Sequence, residues 1–312
     1  MDVYQALPNA GPRCSSLSRI LGEPMAGTAA AAATWLCIEQ PGPWGREALT
    51  ESHIDTVVGH ELAQRVKGTG VRIALIRRAG SHPDRHQPIP HQVYLAHTAP
   101  GRGWLERGWV ADPKELLDLD FAALGNGIPS GLGTAIEDEP LLLVCTNGRR
   151  DVCCALLGRP IAAALAARHG DAVWECTHLG GHRFAPTALV LPAGYAYGRL
   201  DRDTAEPLLA PGSPVRVEHC RGRSIWSPPG QVADLAVRSA TGDLDPDAVR
   251  VVDEAPAGAG RWLVELAHRN GRRWQVTVTE RTAPELRSAS CGAGPKAATA
   301  LYATSIRDLI TG

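Results

Sequence analysis

LLLVCTNGRRDVCCALLGRPIAAALAARHGDAVWECTHLGGHR, residues 141–183, is the stretch that decides the fold. It predicts an apolar strand over Leu141–Thr146 with Cys145 near its end, then a loop carrying Asn147-Gly-Arg-Arg-Asp151. An Ala- and Leu-rich helix follows over Cys154–Arg168, and a second strand over Ala172–Thr177. Short apolar runs between turn residues suit buried strands, and a long run of strong helix formers suits the segment between them. Two more strands are expected at Thr187–Pro192 and Tyr195–Leu200, with a helix near Thr204–Leu209.

The same order stands upstream. Thr34–Glu39 reads as a strand, followed by the Pro/Gly loop QPGPWG and a helix from His53 to Lys67. Ile54, Val57, Val58, Leu62 and Val66 fall at helical spacing within it. Strands are expected at Val71–Arg78, His91–Thr98 and Trp104–Val110. Asp112-Pro-Lys-Glu then opens a short helix, with Asp112 as N-cap and Pro113 in the first turn. The recurring order of strand, helix, three strands and helix implies an internal duplication. One unit spans 14–125 and the other 138–211, and the linker Leu209–Pro214 leads to a small α+β region over 215–312. That last region has a helix near Pro229–Ser239 and two strands, Arg261–His268 and Arg273–Thr279. Asn270-Gly271 is the hairpin turn between them, and a closing helix is expected over Ala297–Ile310. It carries no concentration of ligand-type side chains, which gives it a structural or docking role.

A chain of 312 residues can bury a substantial core. Its 32 basic and 33 acidic residues leave a net charge of −1, so nothing in the electrostatics favours nucleic acid or a membrane as partner. The N-terminus lacks the charged head and apolar core of a secretory signal, and the apolar run from Gly27 to Ile38 is too short to span a bilayer. A cytoplasmic protein is expected, and there eight cysteines do not form a disulfide framework. Cys14, Cys37, Cys220 and Cys291 are dispersed and read as buried, inert thiols. The four from Cys145 to Cys176 are clustered, which suits metal or redox chemistry.

Within that cluster Cys145 and Cys154 are soft donors separated by eight residues, and His178-x3-His182 is a second donor pair in a separate loop. Two cysteines and two histidines suit tetrahedral zinc, and equally a [2Fe–2S] cluster with sulfur ligands on one iron and imidazoles on the other. Zinc fingers hold their cysteines two to four residues apart, whereas the wider loop here suits the edge of a larger cluster. Gly180-Gly181 between the histidines permits positive φ and close backbone approach.

The runs C-T-N-G-R-R-D-V-C-C and W-E-C-T-H-L-G-G-H-R-F-A-P-T, with GTAAAAATWLCIEQPGPWG upstream, resemble the sucrase/ferredoxin-like family over most of the chain. That family is related to the thioredoxin-like [2Fe–2S] ferredoxins, with His-x3-His as its second ligand pair. The resemblance implies an α/β, thioredoxin-like ferredoxin fold, here as two tandem units, of which only the second holds a cluster. It implies Cys145, Cys154, His178 and His182 as the ligands of a [2Fe–2S] cluster.

Other residues compete for roles. Cys153 can replace Cys154 as a ligand, although the loop length favours Cys154. Cys176-Thr-His178 is half of a Rieske box whose second half is missing downstream, which leaves Cys176 as a strand residue beside the cluster. His82 and His86 occupy the matching place in the first half and read as surface histidines. Arg183 is a candidate to tune the cluster, to meet a redox partner, or to pair with Asp151. The function implied is a one-electron carrier served by a redox partner protein, since neither a flavin nor a nicotinamide motif is visible. Its potential is expected to exceed that of all-Cys clusters and to fall as pH rises through the histidine titration. Zinc binding alone, thiol exchange at Cys153-Cys154, and sugar hydrolysis by Glu137-Asp138-Glu139 or Asp201 and Asp203 are the competing functions.

Overall fold

Strands buried on both faces read as unbroken apolar runs, and Leu141–Cys145 is buried at all 5 positions. In a computed structural model, which describes residues 13–80 and 90–309, this strand lies near the middle of a 10-stranded sheet. The chain enters through helix α1 (Cys14–Ile20) and strand β1 (Thr34–Glu39). Helices α2 (Ala48–Glu51) and α3 (Thr56–Arg65) lead to strand β2 (Val71–Arg78). Strands β3 (His91–His97) and β4 (Trp104–Val110) follow. A 3-10 turn with an Asp112/Glu115 capping box, helix α4 (Phe121–Gly125) and the short strand β5 (Gly133–Ala135) complete this half.

The second half starts with β6 (Leu141–Cys145), crosses through helix α5 (Val152–His169) and returns as β7 (Val173–Cys176). Strands β8 (Ala188–Leu191) and β9 (Tyr195–Tyr197) and helix α6 (Arg202–Ala205) come next. The order across the sheet is β9-β8-β6-β7-β2-β1-β3-β4-β5, with β10 (Cys220–Arg223) added at the β9 edge. β1 is parallel to β2 and antiparallel to β3, and β6 is parallel to β7 and antiparallel to β8. The element order read twice in the sequence therefore recurs with the same strand senses.

The two halves meet where β2 runs antiparallel to β7, pairing Ile76 with Cys176, Arg77 with Glu175 and Arg78 with Trp174. Arg77 and Glu175 are both buried and form a bidentate contact, Nε and Nη2 at 3.0 and 2.9 Å from one carboxylate oxygen. Thr146 donates to that same oxygen at 2.7 Å, and the guanidinium lies over the Trp44 ring. One apolar layer spans both halves, drawing Trp35, Cys37, Ile76 and Tyr94 together with Leu143, Trp174 and Leu189. On the opposite face Leu142 and Val144 pack with Ala162 and Leu165 of α5.

α5 with its following turn, Val152–Ala172, has the length and apolar composition of a membrane span, a feature the sequence reading did not single out. In the structure its inner face, including Cys153, Cys154, Gly158, Ala162 and Leu165, is buried in the protein. A C-terminal four-stranded sheet, β11 (Val249–Pro256), β12 (Arg261–His268), β13 (Arg273–Thr282) and β16 (Thr299–Leu309), packs on helix α7 (Pro228–Thr241). The small pair β14 (Arg287–Ser288) and β15 (Pro295–Lys296) interrupts it. The closing helix expected over Ala297–Ile310 is absent: most of that segment is β16, which pairs with β13 from Thr299 to Leu309. The unsatisfied edge of β13 offers this segment a full ladder of hydrogen bonds, and that outweighs the helix propensity of its alanines.

Candidate metal centre

Cys145 ends β6 and Cys154 sits in the first turn of α5, both with no exposure to solvent. Asp151 caps the helix by accepting from the Cys153 amide at 2.9 Å, which fixes where the first turn begins. Gly158 then lets the helix press onto the strand end, since a Cβ there would lie 2.3 Å from the Cys145 carbonyl oxygen. The result is that the Cys154 thiol faces Cys145. Donation from Cys154 and the proximity of His178 hold the Cys145 thiol well below its ordinary pKa, while Cys154, as the donor, is pushed up.

His178 and His182 come from the loop after β7. That loop turns through Gly180 and Gly181 at φ of 78° and 64°, conformations open to glycine at little cost. The ligand atoms of Cys145, Cys154 and His178 lie within 4.8 Å of one another. His182 falls outside that group and packs on His178, with its Nδ1 3.4 Å from His178 Nε2. Burial lowers the His182 pKa, which favours the neutral imidazole that a metal requires. His178 Nδ1 and His182 Nε2 are buried and have no hydrogen-bond partner among the described residues. The free Nδ1 of His178, a residue grouped with two buried thiols, suits a site for a metal or cluster, while His182 Nε2 is turned towards Asp151 at 3.8 Å.

Arg221, which the sequence reading did not identify, braces this loop from below. Its fully buried guanidinium donates to the Gly180 carbonyl at 3.0 Å, to Thr28 Oγ1 at 3.1 Å and to the Thr28 carbonyl. Burial pulls its pKa down to about 10, opposed by the nearby Cys145 and Cys154 sulfurs, so it remains charged at neutral pH. A Cβ on Gly181 would meet this guanidinium at 2.5 Å. Gly181→Ala is therefore expected to destabilise the protein by about 2 kcal/mol, from the left-handed backbone and the clash together. A change below about 0.5 kcal/mol in urea unfolding would show that the loop is not held in this way.

Adjacent helical residues point about 100° apart. Cys153 accordingly faces away from Cys154, towards Cys14 and Cys291 at 3.8 and 3.3 Å. This removes Cys153 as a stand-in for Cys154 and as its partner in thiol exchange. Cys176 lies opposite Cys145 on β7, and burial pushes its thiol well above the ordinary value, as fits a strand core residue. Arg183 pairs with Glu23 at 2.6 Å instead of Asp151. Asp151 instead lies 3.8 Å from His182 Nε2 and accepts from the Cys291 amide at 2.8 Å. Cys37 and Cys220 are buried, with thiols raised to about 12, but Cys14 and Cys291 are not isolated as expected. His82 and His86 lie outside the described residues. Glu137, Asp138, Glu139, Asp201 and Asp203 are exposed, and Asp201 caps α6.

A model of the sucrase/ferredoxin-like family matches residues 25–222. The chain belongs to this family. The match runs from ahead of β1 into β10 and so takes in both donor loops and Arg221 of this sucrase/ferredoxin-like chain. α1, with Cys14, and everything from α7 onwards, with Cys291, lie outside it. Comparison with curated proteins and with solved structures gave no match.

Proposed function

We propose that this protein is an electron carrier that holds a [2Fe–2S] cluster through Cys145, Cys154, His178 and His182. The observation carrying this reading is the convergence of two buried thiols with His178, against which His182 packs at 3.4 Å. Once bound, such a cluster supplies one-electron transfer. Cys145 is poised to bind as thiolate, and the Arg221 guanidinium offsets the negative charge gathered at the two sulfurs. His182 retains about a sixth of its side-chain surface (17%) whereas both cysteines have none, so the histidine end faces the approach of a redox partner protein. Neutral imidazoles in place of thiolates make the site less negative and favour addition of an electron.

Visible absorption and EPR of anaerobically purified protein test the ligand set. His178→Cys and His182→Cys are each expected to retain a chromophore but to shift its spectrum and lower its potential, because each adds a thiolate charge. Unchanged spectra in both variants would remove the histidines from the site. A colourless protein holding zinc on Cys145 and Cys154 would instead make the centre structural.

A further inference from the structure

We propose that Cys14, Cys153, Cys291 and Asp151 form a second metal site, built for a tetrahedral zinc ion. The three sulfurs lie at 3.8, 3.6 and 3.3 Å from one another, for Cys14–Cys153, Cys14–Cys291 and Cys153–Cys291. Tetrahedral zinc with Zn–S bonds of about 2.3 Å places its sulfurs roughly 3.8 Å apart, so a small outward relaxation admits the ion. An Asp151 carboxylate oxygen stands 3.7 Å from Cys14 Sγ, and all four ligand atoms fall within 4.8 Å of one another. Three sulfurs and one carboxylate complete the four-coordinate set that zinc accepts.

The groups around this set favour ligation. Asp151 is oriented by the Cys153 and Cys291 amides, at 2.9 and 2.8 Å, which leaves lone pairs on both oxygens for an ion. Ser15 donates to Cys153 Sγ at 3.2 Å, the kind of outer contact that steadies a thiolate ligand. A disulfide is a poorer account of the trio, since it joins two sulfurs at about 2.05 Å and leaves the third unused. The ligands come from the start of α1, the first turn of α5 and the loop after β14, as much as 277 residues apart. An ion here clips α1 and the loop after β14 to the helix turn that also carries Cys154. Asp151 faces His182 on its other side, so the clip abuts the first centre.

Metal analysis of the full chain, purified from cells grown with added zinc, tests the proposal with iron counted in the same samples. The wild type is expected to hold about one zinc per chain. Cys14→Ser and Cys291→Ser should each lose most of it, at least fivefold, while Cys145→Ser keeps it and loses iron. Zinc absent from the wild type, zinc that follows Cys145, or a disulfide between any two of the three cysteines would overturn the proposal. Zinc K-edge absorption on the wild type needs no variant. Three sulfur neighbours and one oxygen are expected, and a shell with two nitrogens would refute the assignment. Failure of the iron centre shows separately, as iron lost with zinc retained.

Discussion

Cys145→Ser and Cys154→Ser are each expected to abolish the visible chromophore and reduce bound iron at least tenfold. Serine keeps the size of cysteine but replaces a soft, readily ionised sulfur with a hard hydroxyl that does not ionise at neutral pH. Both positions are buried, so no other thiolate can reach in from solvent, and Cys153 is directed elsewhere. Burying a hydroxyl in place of the thiol also costs roughly 1–3 kcal/mol, which calls for a control. Cys176→Ser supplies it: the residue is equally buried and lies directly across from Cys145 on β7. It should show a similar loss of stability with iron retained. Equal iron loss in all three variants would mean that iron content merely follows folding.

Glu175→Ala is expected to destabilise the protein by about 3–5 kcal/mol, the largest single effect on folding anticipated here. The glutamate carboxylate accepts both Arg77 bonds and the Thr146 hydroxyl, and the side chains of the ion pair are only 7% and 2% exposed. Removing it leaves the buried Arg77 guanidinium without its counter-charge inside the sheet, where β2 pairs with β7. Replacing the pair together, as Arg77→Met with Glu175→Leu, should recover most of that loss, because an apolar pair leaves no uncompensated charge. Chemical unfolding of the single and double variants checks both statements. A single-variant loss under about 1 kcal/mol would show that the sheet junction does not depend on the pair.

What the sequence disclosed followed from range. β1, β2 and β4 were read with the boundaries that the structure gives them, because each is a compact run set off by turn residues. The donor residues 145, 154, 178 and 182 could be nominated from two short loops. The meeting of 145, 154 and 178 could be inferred only through the strand–helix–strand pattern that brings the ends of β6 and β7 together. Interactions at long separation were silent. Cys14, Cys153 and Cys291 have no local pattern linking them across 139 and 138 residues, and reading Cys14 and Cys291 as inert overlooked their meeting. Arg221 was invisible for the same reason, since nothing around it announces that it supports Gly180 from 41 residues away. β16 was misread because its alanines favour helix, while the free edge of β13 that captures it is a tertiary feature.

We propose a cluster shared between two sulfurs and two imidazoles. Iron and acid-labile sulfide analysis of anaerobically purified wild-type protein, combined with EPR after reduction, tests this most directly. About two irons and about two sulfides per chain, with a reduced-state signal altered by His178→Cys and by His182→Cys, is the predicted result. Protein without iron and sulfide after anaerobic reconstitution, or with a signal indifferent to both histidines, would contradict it.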